Sequence, residues 1–129
     1  MIKNVIGRGL VAAAALTLSA VGLAGTAQAS TTAPYLGYGH TTSGTGVWCV
    51  QHLVNDYLRA GGNPTIDEDS QWGPKTDAAV RDFQAHVRGN LQQDGIVGPQ
   101  TGSVLLNYDW TDPAAGPNGT CRPFVPSVS

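Results

Sequence analysis

The segments Asp69-Ser70-Gln71-Trp72-Gly73-Pro74-Lys75-Thr76 and Asp94-Gly95-Ile96-Val97-Gly98-Pro99-Gln100-Thr101 share the pattern Asp-x-x-x-Gly-Pro-x-Thr, displaced by 25 positions from Asp69 to Asp94. An internal repeat constrains a short chain strongly, because both copies must solve the same local structure. Each residue type has a reason to be present. The Asp carboxylate accepts backbone N–H bonds that close a turn, and Gly tolerates positive φ or close backbone approach. Pro suits the first position of a helix, and Thr falls in its first turn. The repeat therefore predicts two turns that each open a helix, and casts Asp69, Gly73, Thr76, Gly98 and Thr101 as turn and helix-start residues.

The apolar pattern supplies the helices. Val47, Val50, Val54, Tyr57 and Leu58 recur at spacings of three and four, which predicts a helix ending at the left-handed cap offered by Gly61-Gly62. A second helix starts at Pro74, places Ala79, Val80, Phe83 and Val87 on one face and ends at Gly89. A third, shorter helix starts at Pro99 and presents Val104, Leu105 and Tyr108. Leu53, Val80, Phe83 and Leu105 are the expected core. The leader, residues 30–45, is rich in Ser, Thr, Gly and Tyr and lacks a period, so it reads as flexible or draped over the domain. The expected fold is all-α: a compact three-helix bundle with a pseudo-twofold repeat, irregular extensions at both ends and one disulfide.

Export is the premise of that disulfide. Lys3 and Arg8 precede the apolar run from Leu10 to Leu18, and Ala27-Gln28-Ala29 is an Ala-x-Ala cleavage site, so residues 1–29 read as a signal peptide. An exported chain meets an oxidising compartment, where Cys49 and Cys121 are expected to pair and tie the tail, residues 109–129, to the first helix. In the chain-entropy account such a long loop restricts the unfolded chain by roughly 4 kcal/mol. Residues 30–129 carry five basic side chains against nine acidic ones, a formal net charge of −4. An acidic domain without a basic stripe excludes nucleic acid and, after signal cleavage, an anionic membrane as expected partners.

The string from Gly46-Val47 through Val50-Gln51-x-Leu53 and Asp69-x-x-x-Gly73-x-x-Thr76-x-x-Ala79-Val80-x-x-Phe83-Gln84 to Asp94-Gly95-Ile96-Val97-Gly98-x-x-Thr101 and Leu105 closely resembles the peptidoglycan-binding domain of the three-helix type. The resemblance covers residues 46–108. It implies a non-catalytic module that binds bacterial cell-wall peptidoglycan, through glycan or stem peptide, in a secreted, wall-associated protein. Ser70 and Trp72 stand where the family often has Gly and Phe or another apolar residue.

Candidate ligand contacts are Trp72, Gln84, Asp94, Gly95, Ile96 and Tyr108. Aromatic faces suit sugars and acetamido groups, amides suit peptides, and Trp72 lies directly before a helix N-terminus with free N–H groups. No cofactor and no metal is expected. His52 with Asp56, and Asp82 with His86, do place imidazole and carboxylate one helical turn apart, which keeps open a minimal metal-dependent wall hydrolase if the helices face each other. The other open alternative is a secreted interaction or inhibitor protein acting on a cell-wall hydrolase.

Overall fold

The structure, a computed structural model, describes residues 32–128, and the expected signal peptide lies outside them. The fold is all-α: α1 (Thr45–Ala60), α2 (Pro74–His86) and α3 (Pro99–Leu106) precede a 3-10 turn at Arg122–Phe124. The central element is α1, which packs against α2, α3 and the 3-10 turn. Its stripe of Val47, Val50, Val54 and Leu58 is buried, as the spacing requires. At its end the Gly62 N–H donates to the Arg59 carbonyl (3.0 Å) and the Asn63 N–H to the Leu58 carbonyl (2.8 Å). These are the two bonds of a Schellman cap, with Gly62 at φ 73° in the left-handed position.

The other two helices start alike. Each has Pro in its first turn after an extended glycine, Gly73 or Gly98, and neither start carries a side-chain cap. α2 ends at His86, short of the expected Gly89. Val87 turns extended (φ −86°, ψ 161°) and packs on the core, and Gly89 and Asn90 then make a left-handed turn. α3 ends at Leu106, so Tyr108 lies beyond the helix instead of on its face. Phe83, Leu53, Val80 and Leu105 are fully buried, as expected of the core.

Of the two readings of the leader, the structure has it draped. Leu36 is buried and exchanges both backbone bonds with Val97 (3.1 and 2.8 Å). The Trp72 N–H donates to the Thr42 carbonyl (2.8 Å), and the Gly44 N–H to the Ser70 carbonyl (3.0 Å). Trp72 and Val97 occupy the same position of the two repeats, so the leader pairs by backbone with both turns. Cys49 and Cys121 form the expected disulfide across a sequence separation of 72, with their Cα atoms 5.6 Å apart. It fastens the tail to α1 beside the 3-10 turn.

Candidate binding site

The repeat builds one polar network twice, each around a buried glutamine. Gln51 Nε2 donates to Asp69 Oδ1 (3.0 Å), the Gln71 carbonyl (2.9 Å) and Thr76 Oγ1 (3.0 Å), while its Oε1 accepts from the Ser70 N–H (2.9 Å). Gln84 Nε2 donates to Asp94 Oδ1 (3.2 Å), the Ile96 carbonyl (2.9 Å) and Thr101 Oγ1 (3.1 Å), and its Oε1 accepts from the Gly95 N–H (2.9 Å). Asp69 and Asp94 each close their own turn by accepting from the N–H two residues on, at 3.0 and 2.9 Å. The N–H of Gln71 and the amide of Gln51 hold the Asp69 carboxyl below the usual carboxylate range. Every buried polar atom of both glutamine side chains thus has a partner, and each turn is locked to the helix before it.

Two surface hollows lie along α2. Lys75, Ala78, Ala79, Asp82 and His86 form one helical stripe and wall a hollow of about 730 Å³ opposite Tyr57 and the 63–66 segment. A second hollow, of about 620 Å³, is lined by Tyr57, His86, Arg88, Ser103, Asn107 and Tyr108 among others. The two adjoin at Tyr57 and His86 and are together termed the trough: one part follows α2 and the other lies over its end toward α3, with Tyr57 between them. The Tyr57 hydroxyl donates to Asp82 Oδ2 (2.8 Å), and burial together with that carboxylate pushes it up to about 12. Its ring stands edge-on to Phe83 and Tyr108, with centroids 5.3 and 5.9 Å away. Asn107, in the second hollow's lining, accepts through its Oδ1 from the indole N–H of Trp110 (3.2 Å), which is 67% exposed. An open trough of aromatic, amide, hydroxyl and charged groups is suited to binding an extended polar ligand.

A separate ionic cluster joins α1 to the tail. His52 Nδ1 lies 3.0 Å from Glu68 Oε1 and its Nε2 lies 2.9 Å from Asp112 Oδ2, with the ring stacked on Trp48 at 4.8 Å. Only the imidazolium donates from both nitrogens. Burial works against that charge, yet the Glu68 bond and the charges of Asp112, Glu68 and Asp56 lift His52 above its ordinary value. Asp56, whose Oδ2 is buried without a protein partner, is pushed up by burial and by the adjoining Asp112 carboxyl. Glu68 and Asp112 are held below the ordinary carboxylate range against the effect of burial, Glu68 by Asn55 and His52 and Asp112 chiefly by the Ala114 N–H.

The residues singled out in the sequence fall in three places. Trp72 is a correction: it is 6% exposed, belongs to the core and leaves its indole N–H without a partner. Gln84 is likewise spent on the scaffold, being 2% exposed with its amide fully engaged, and Gly95 is buried in the same turn. Asp94 and Ile96 line a different hollow, of about 540 Å³, together with Tyr35 and Val128. Tyr108 alone of the set lies in the trough. His52 turns to Glu68 and Asp112 and His86 to Asp82, so those four do not converge; among the described residues no set of three or more His, Cys, Asp or Glu is placed to hold a metal. Tyr57, Asn107 and Arg88 were not singled out as ligand contacts. None of the three lies on α2: Tyr57 belongs to the apolar face of α1, while Arg88 and Asn107 follow the ends of α2 and α3, so no periodic signal marks them.

The fold and this trough define a small helical binding domain. Residues 52–105 match the family model of a peptidoglycan binding domain, which bears out the resemblance carried by the repeat. The match runs from α1 to α3 and includes both repeat turns and most of the trough. No curated protein and no solved structure matched the chain.

Proposed function

We propose that the chain is exported and acts as a non-catalytic, wall-associated binder of bacterial peptidoglycan, holding the polymer in the trough along α2. The observation that carries this reading is the family match at residues 52–105, whose span supplies most of the trough's walls. The disulfide supports export, since such bonds persist in oxidising compartments. The working form is the oxidised mature domain with its leader and tail in place.

Co-sedimentation of the oxidised mature protein with protein-free sacculi tests the proposal, with chitin and cellulose as controls and the supernatant assayed for released fragments. Selective sedimentation with no released fragments is expected. A protein that stays in solution overturns wall binding and turns the search to a secreted hydrolase as partner; released muropeptides overturn the non-catalytic role.

A further inference from the structure

Two cations of this acidic domain stand apart from the rest. Arg59 is paired with Asp56 (2.7 Å) and Arg81 with Asp77 (2.9 Å). Lys75 and Arg88 are exposed and, among the described residues, make no ion pair or side-chain hydrogen bond. Both line the trough, at its two ends: Lys75 in the first turn of α2, and Arg88 just beyond its last. Between them lies the Asp82 carboxylate, 45% exposed. At the helical rise, the distance from position 75 to 88 is roughly 20 Å. An extended peptide needs about six residues to cover that backbone distance, fewer where the long Lys and Arg side chains close the gap from both ends, and the distance is long for a single sugar ring.

The walls agree with this charge order of plus, minus, plus. Ala78 and Ala79 leave room beside the helix, and Tyr57 and Tyr108 offer ring surface for short aliphatic side chains. We infer that the trough takes the stem peptide of the wall polymer, bound as an extended chain whose two carboxylates meet Lys75 and Arg88 and whose side-chain amine meets Asp82. The assignment rests on the peptidoglycan reading of the same trough and narrows it to the peptide part of the polymer. Charge placement supplies specificity here: a neutral glycan leaves Lys75 and Arg88 without a counterpart.

The test is titration of the oxidised, isotope-labelled domain, followed by amide chemical shifts. The probes are an N-acetylated Ala-γ-Glu-Lys-Ala peptide, the same peptide with both carboxylates amidated, and a chitooligosaccharide. The free-acid peptide is expected to shift amides at positions 75–88 and near Tyr57, with binding that weakens as salt is raised. Amidation, Lys75→Gln and Arg88→Gln are each expected to weaken it about two- to fivefold, as for exposed ion pairs. Both substitutions are at exposed side chains, so the unliganded spectrum should persist. Shifts in the trough with the oligosaccharide and none with the peptide overturn the assignment, as does equal binding of the amidated peptide. Sedimentation with sacculi separates the failures: sedimentation without a peptide response overturns this inference alone, whereas loss of both overturns the proposed function with it.

Discussion

Ser70 and Gly95 occupy the same place in the two repeat turns and show what the place demands. Both have left-handed backbones, φ 64° and 73°, with the N–H donated to the preceding helix's glutamine. A serine at such φ costs about 1 kcal/mol that glycine avoids. Ser70→Gly is therefore expected to raise stability by about 0.5–1 kcal/mol in chemical denaturation. Gly95→Ser is expected to lower it by about 1–3 kcal/mol, because a Cβ there would meet the Asp77 carboxylate at 2.5 Å and disturb its pair with Arg81. Trp72 allows a similar comparison. Its repeat partner is Val97, and the structure buries both, so the aromatic that reads as a ligand contact before a helix start serves as core. Trp72→Ala should cost about 3–5 kcal/mol through the cavity it leaves. Trp72→Phe should lie within about 1 kcal/mol of the parent, lost contact being offset by removal of an unpaired buried N–H. Calorimetry on both variants checks this.

At the scale of elements, the helices were legible because each start and each apolar stripe was written in residues whose physics is local. Pro74 and Pro99 open helices, Gly61-Gly62 closes one, and the stripes of α1 and α2 form the core. What was not legible is what non-local contacts decide. The early end of α2 depends on Val87 finding the core. The leader's path depends on backbone bonds that Ser, Thr and Gly do not advertise, and the trough depends on where Tyr57 of α1 meets α2. The tail is held by the disulfide, for which the cysteine count sufficed, and by the His52 contact to Asp112, for which nothing in the spacing did. Replacing Cys49 and Cys121 together by Ala is expected to cost about 2–5 kcal/mol. Hydrogen exchange should show the loss of protection first between residues 109 and 128.

For the molecule as a whole, charge couples stability to pH. His52 has a raised folded-state value, so its contribution is complete below the ordinary imidazole value of 6.5 and is lost as pH rises through the raised one. Glu68 and Asp112 have lowered values, so their contributions hold above the ordinary 4.5 and 3.8 and are lost as pH falls through the lowered ones. Asp56, raised, runs the other way and loses its contribution as pH climbs above 3.8. The melting temperature is therefore expected to be highest in mildly acidic solution and to fall toward pH 8 as His52 loses its proton. His52→Gln should flatten that fall, and an equally steep fall in the variant would contradict the clamp. On the proposed reading, peptidoglycan is held along α2. The most direct measurement is amide shift mapping of the labelled, oxidised domain with soluble wall fragments carrying both glycan and peptide. Perturbations confined to positions 75–88 and the neighbours of Tyr57 and Tyr108 are the predicted result. Perturbations gathered instead around Tyr35, Asp94 and Val128, in the separate hollow, would contradict it.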